Sequence, residues 1–130
     1  MYYGLRWRIL REPWGQPPGS EKDEHEKEAE HISAHDTTGR LIGVGRFHCS
    51  CPAEGQVRYM AVLPEWRGRG VGSAILLRIE DLANRVGMKS VVLNAREEAV
   101  GFYRRLGYEV VGDSPTLFGE IRHFRMRSRL

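Results

Sequence analysis

Apolar positions along the chain change their period several times, and each change marks an element. Near the start Leu5 and Ile9, with Trp7 and Leu10, recur at helical spacing, which predicts a short helix within residues 2–12 that stops before Pro13. The stretch from Pro13 to Ser20 is dense in proline and glycine and reads as loop. Residues 31–35 and 41–48 then read as two strands joined by the turn Asp36-Thr-Thr-Gly39. A second turn, Pro52-Ala-Glu-Gly55, leads into a strand over 56–63, so the three strands form an antiparallel meander.

From Val71 the period becomes helical. Val71, Ile75, Ile79, Leu82 and Val86 share one face, and Gly87 stands where a residue just past a helix end belongs. Asp81 and Arg85 are spaced to pair on the opposite face. Ser90-Val-Val-Leu-Asn-Ala95 is a short, continuously apolar strand of the kind buried in parallel pairing. Ala99, Phe102, Tyr103 and Leu106 mark one face of a helix of two to three turns, closed by Gly107. Strands at 108–111 and 121–126 follow, with a loop around Ser114-Pro115 between them. No repeat or linker interrupts residues 1–130, so the expectation is one α/β domain with a mixed sheet, βββαβαββ after an N-terminal helix.

Composition changes this picture little. With 41% hydrophobic and 28% charged residues over 130 positions, the chain has the balance of an ordinary globular domain. No apolar run approaches the roughly 20 residues of a membrane-spanning helix. Arginines interrupt the first eleven residues, which lack a secretory signal core, so cytoplasmic residence is expected.

Charge is more telling. The net charge is +3, and the arginines are scattered apart from two local groups, Arg67 with Arg69 and the alternating Arg122, Arg125, Arg127 and Arg129. The second group reads as the solvated face of a terminal strand. Glu21 to His31 holds six acids and two lysines, read as a solvated loop or frayed helical turn, or as an acidic rim that would attract a cationic amine. Cys49 and Cys51 are one residue apart, too close for an unstrained disulfide. With His48 they could suggest zinc, but structural zinc pairs are spaced more widely and need a second ligand pair, so thiols beside a hairpin turn are expected and no metal.

The candidate chemistry lies between strand and helix. The segment Met60-Ala-Val-Leu-Pro-Glu-Trp-Arg-Gly-Arg-Gly-Val-Gly72 passes from an apolar run through a basic glycine turn into the helix. Glycine permits sharp turning and close approach to a ligand. The free N–H groups at the helix start, with the positive end of the helix dipole, suit an anion such as pyrophosphate. Arginine side chains add charge-assisted contacts.

The pattern Arg67-x-x-Gly70-x-Gly72 after Val62-Leu63-Pro64 resembles the signature of the GNAT superfamily of N-acetyltransferases. Asn94 on the next strand and Ala99-x-x-Phe102-Tyr103-x-x-Leu106-Gly107-Tyr108 extend the resemblance, which spans about residues 30–127. The helix start at Leu5-Arg6 and the ending Ile121-Arg-His-Phe-Arg-Met126 resemble the ElaA-like branch. The resemblance implies the acyl-CoA N-acyltransferase fold, a mostly antiparallel mixed sheet with a splayed parallel strand pair and flanking helices.

It also implies roles for particular residues. Backbone groups near Ala61 and Val62 would hold the pantetheine arm of acetyl-CoA, and the N–H groups of Arg67, Gly68, Arg69, Gly70, Val71 and Gly72 its pyrophosphate. Asn94 would contact the arm, and Tyr103 would protonate the departing thiolate. A neutral primary amine of a small-molecule or peptide acceptor would attack directly, with Glu54, His48, His123, Glu120 or a water relay taking its proton. The usual first strand is missing or reduced here, leaving a sheet edge for the N-terminal residues to cover or a homodimer to pair.

Three other readings compete. A dinucleotide site would need a third glycine elsewhere, no Pro64-Glu-Trp insertion, and an acid where Asn94 stands. A non-catalytic acyl-CoA-binding module of the same fold would have no use for Tyr103. Nucleic-acid binding, which the basic pI suggests, would call for an array of stacking aromatics among the basic groups, and the chain shows no such array.

Overall fold

The computed structural model describes residues 2–19, 21–23, 26, 29–51, 53–117 and 121–130. A first helix, α1 (Tyr2–Leu10), is followed by a short helical turn at Glu12–Trp14 that accommodates Pro13. The meander then comprises β1 (Glu30–His35), β2 (Leu41–Cys51) and β3 (Glu54–Val62). Helix α2 (Val71–Arg85) leads to β4 (Ser90–Arg96), and α3 (Val100–Arg105) to the hairpin β5 (Glu109–Leu117) and β6 (Ile121–Arg129).

The six strands lie in the order β1-β2-β3-β4-β6-β5, and every neighbouring pair is antiparallel except β3 and β4. A parallel pair cannot be closed by a hairpin, and α2 supplies the crossover. The sheet is open and mixed, with helices on its faces, as the sequence predicts. The turn at Asp36 also forms as expected: its carboxylate accepts from the N–H groups of Thr38 (2.9 Å) and Arg40 (3.0 Å).

The core has two parts. Ile75, Leu76, Ile79 and Ala83 of α2 are buried against Phe47, Val57, Val91, Leu93 and Met126. On the other side, Leu5 of α1 packs with Leu41, Val44, Ala61 and Leu63. Val57 and Ala61 are both odd-numbered on β3 yet serve opposite clusters, which a regular strand forbids. The cause is a β-bulge. Val44 pairs with Ala61 but Arg46 with Arg58, so Gly45 faces both Tyr59 and Met60. Tyr59 takes a φ of 59° there, a conformation costly for a residue with a side chain.

Two expectations are corrected. β5 runs past Ser114-Pro115 to Leu117 where a loop was expected, its pairing with β6 shifting register between Ser114 and Leu117. β5 is an edge strand, and an edge tolerates a residue that cannot donate to the ladder. The acidic run is also neither simply solvated nor a rim. Glu26 accepts from Arg6 (2.9 Å) and Arg46 (3.0 Å), and Asp23 accepts from Arg46 (3.0 Å) and Arg58 (3.1 Å). Arg6 and Arg46 are completely buried, so these carboxylates neutralise cations inside the fold. Glu24, His25, Lys27 and Glu28 lie outside the described residues.

The terminal arginines are likewise only partly a solvated face. Arg125 and Arg127 each donate to Glu54 at 3.1 Å, and Arg122 lies 3.6 Å from Glu97.

Candidate functional site

β3 and β4 pair over four residues only: Glu54 with Ser90, Gly55 with Val91, Gln56 with Val92 and Val57 with Leu93. Both strands continue, β3 to Val62 and β4 to Arg96, without pairing to each other. The separation starts at the bulge, where β3 turns its side chains over. Between the diverging strands lies a cleft of about 680 Å³, within the size range of small-ligand sites.

Most of the residues named from the sequence border this cleft. Ala61, Val62, Arg67, Gly68, Gly70, Val71, Gly72, Asn94 and Tyr103 all line it, whereas Arg69 does not and instead lies over the Trp66 ring, 5.0 Å from its centre. Gly68 and Gly70 have φ of 75° and 83°, left-handed values that a turn this tight assigns to glycine. Gly70 caps α2 without a side-chain hydrogen bond, and the first intrahelical donor is the N–H of Ala74. The preceding N–H groups of Val71, Gly72 and Ser73 therefore have no partner within the helix. Gly72 keeps the passage open: a Cβ there would lie 3.4 Å from Phe102 Cζ and 3.5 Å from Met60 Cε.

Asn94 is exposed on the stretch of β4 that no longer pairs with β3, and it sits opposite Arg125 across the β4–β6 ladder. Tyr103 enters from α3, edge-on to Phe102 and Tyr108 with ring centres 5.0 and 6.0 Å away. Burial pushes its hydroxyl up to about 12, against a smaller lowering by the charge of Arg96. The hydroxyl thus keeps its proton through the neutral range, and no described residue hydrogen-bonds it.

The four candidate bases separate. His123 is nearly buried and lines the cleft. His48 sits 3.3 Å from Arg46, away from the cleft lining, and Glu54 holds Arg125 and Arg127 at the paired end of β3. Glu120 lies outside the described residues.

Sequence reasoning missed Arg11, Arg58, Tyr59 and Arg96, all of which line the cleft. Tyr59 is ringed by guanidinium groups: those of Arg6, Arg46, Arg58 and Arg11 lie 4.4, 4.9, 4.6 and 5.5 Å from its ring centre. The bulge turns the Tyr59 ring toward them, and no local pattern announces it.

Comparison with known proteins gives a consistent answer. The family model described as an acetyltransferase (GNAT) domain matches residues 17–130. An N-acetyltransferase of Bacillus subtilis, YjcF, described as uncharacterized, is 34% identical over 122 residues, 94% of this chain and 86% of that protein. The crystal structure of an aminoglycoside 6'-N-acetyltransferase complexed with coenzyme A superposes with a TM-score of 0.79 at 16% identity, covering 96% of this chain and 88% of that one. Escherichia coli ElaA superposes with a TM-score of 0.79 at 18% identity, covering 96% and 85%. These two likenesses concern the fold.

Proposed function

The chain belongs to the GNAT acetyltransferase family, and we propose that it transfers the acetyl group of acetyl-CoA to a primary amine. The observation that carries this reading is the divergence of β3 and β4 beyond Val57 and Leu93, which leaves a ligand-sized cleft between the end of β3 and Tyr103. A sheet that stops pairing in its middle leaves backbone donors and acceptors without a ladder partner. Such groups persist where a ligand or water satisfies them.

The residues present suit acetyl-CoA. The N–H groups of Val71, Gly72 and Ser73, at the start of α2 after the turn from Arg67, would hold the pyrophosphate, with Arg67 adding charge from the cleft wall. Backbone groups of Ala61 and Val62 would fix the pantetheine arm, and the Asn94 amide would contact it. Acetyl-CoA supplies a thioester whose carbonyl an amine can attack. Tyr103, protonated at neutral pH, would donate to the sulfur as the carbon–sulfur bond breaks. A tyrosine near 12 is a weaker acid than an ordinary thiol near about 8.5, so its main contribution is a hydrogen bond as charge develops on sulfur.

The attacking nitrogen must lose a proton before or during attack. His123 lines the cleft and is the base we favour over His48 and Glu54, which are engaged with arginines elsewhere. The test is a panel of amines incubated with acetyl-CoA, read by release of free thiol and by the mass of the acetylated product. Acetylation of at least one amine that depends on Tyr103 supports the reading. Tight acetyl-CoA binding without turnover on any amine supports the binding-module alternative instead.

A further inference from the structure

The arginines of the cleft divide between its two sides. Arg67 belongs to the turn before α2. Arg11, Arg58 and Arg96 belong to the sheet face that carries α1. On β4, Val91, Leu93 and Ala95 pack under α2, so Asn94 and Arg96 project to the opposite face. The ladder sets Arg96 directly across from His123 and Asn94 across from Arg125. Arg58 lies on the same face of β3 just before the bulge, and Arg11 leaves the end of α1 over Tyr59.

These cations are close enough to act on one another. Burial holds the Arg11 guanidinium below its ordinary value, and the charges of Arg58 and Arg96 lower it further against the opposing effect of Tyr59. Arg96 also acts on the Tyr103 hydroxyl, so it stands near the centre where acetyl transfer would occur. Counter-charge to Arg96 is scarce among the described residues. Asp23 contacts Arg58 at 3.1 Å but is shared with Arg46, and Arg96 has no ion pair with any described residue. Glu98 is the one carboxylate among the described lining residues, against Arg11, Arg58, Arg67 and Arg96. A site built for a plain cationic amine would carry the opposite sign.

We infer that the acceptor is an amine that also carries an anionic group, a carboxylate or phosphate, which Arg96, Arg58 and Arg11 bind on the side of the cleft facing α1. The amine rests on the transferase reading above; the anion rests on the arginines. Planar guanidinium groups suit either oxyanion through paired N–H donors. The same charges would favour an acceptor whose overall charge is zero or negative over a simple alkylamine. The acidic run, in turn, screens part of this cluster through Asp23 and does not attract the acceptor.

Two matched pairs test the inference: glucosamine 6-phosphate with glucosamine, and leucine with leucinamide. Steady-state kcat/KM is measured for each, together with calorimetric binding of each amine to the protein saturated with CoA. The expected result is a preference of at least tenfold for the anionic member of one pair, which also identifies phosphate or carboxylate as the group read. Arg96→Gln should cut that preference at least tenfold, while Arg85→Gln on the far side of α2 leaves it intact.

Equal or inverted preference in both pairs overturns the inference, whatever the overall activity. So does an Arg96→Gln variant that loses acetyl-CoA affinity and keeps the preference, because Arg96 would then serve the donor. Arg96-dependent binding of an anionic amine without turnover keeps the anion site and removes the transferase reading. Binding of neither member removes the anion site.

Discussion

Tyr103 and Glu26 show how far their surroundings move a side chain from its solution chemistry. With its hydroxyl held up to about 12, Tyr103 stays protonated until well above the range in which an exposed tyrosine ionises. An acid works in its protonated form, so its contribution should fade only as pH rises through that value. A pH–rate profile of the wild type should therefore show no tyrosine limb below about pH 11. Tyr103→Phe should lower kcat about a hundredfold with little change in KM, as expected for a group that acts in the transition state.

Glu26 moves the other way. Burial alone would raise its carboxyl, but hydrogen bonds from Arg6 and from the Asp23 N–H, with the charges of Arg6 and Arg46, hold it below its ordinary 4.5. A carboxyl depressed in the fold stabilises the protein above its unfolded value, and that stabilisation is lost as pH falls through the folded value. Glu26→Gln should cost about 3 kcal/mol at pH 7, since it leaves two buried guanidiniums short of a counter-charge. Urea denaturation between pH 7 and pH 3 should also show a shallower acid dependence for the variant than for the wild type. None of this was legible in the sequence. A charge run looks alike whether it is solvated or folded over two arginines from α1 and β2.

At the scale of elements, periodicity was a good guide wherever one face is buried. α2 begins at Val71 and ends at Arg85, with Ile75 and Ile79 of its predicted stripe buried, Val71 and Leu82 half-buried and Val86, just past the helix end, exposed; Asp81 and Arg85 pair at 3.1 Å. Pattern failed where an element breaks a local rule. Pro115 hid the second half of β5, because an edge strand does not need the missing N–H. The bulge at Tyr59 was invisible because no glycine marks its positive φ.

The seating of α2 on β2 gives a test at this scale. A Cβ on Gly45 would lie 2.6 Å from Ile75 Cγ2, and one on Gly43 would lie 2.9 Å from Val71 Cγ1. Either alanine should destabilise by about 1–3 kcal/mol through overpacking. Gly43→Ala presses on the first residue of the helix and should weaken acetyl-CoA binding as well. Gly45→Ala, one turn further along, should lower the melting temperature with a smaller effect on affinity. Calorimetric melting and titration of both variants separate the two effects.

For the whole molecule, the glycine turn that first suggested an anion site is half of a larger arrangement. Its other half is the failure of β3 and β4 to remain paired, a tertiary fact that strand patterns cannot express. The order of motifs made the family legible through Arg67, Gly70, Gly72, Asn94 and Tyr103, residues that sit on four different segments. The basic face made by Arg11, Arg58 and Arg96 was not legible, because its members lie far apart in the chain and converge only through sheet order.

The most direct test of the central claim, that the gap between β3 and β4 holds the acetyl donor, is thermal unfolding with and without acetyl-CoA. At a hundred times its dissociation constant a ligand stabilises by about 2.7 kcal/mol, roughly 10 °C for a domain of this size. Wild-type protein should show that shift, and Gly72→Leu, which fills the passage beside Phe102 and Met60, should lose it. An unshifted wild type at millimolar acetyl-CoA, or a full shift retained by Gly72→Leu, would contradict the claim.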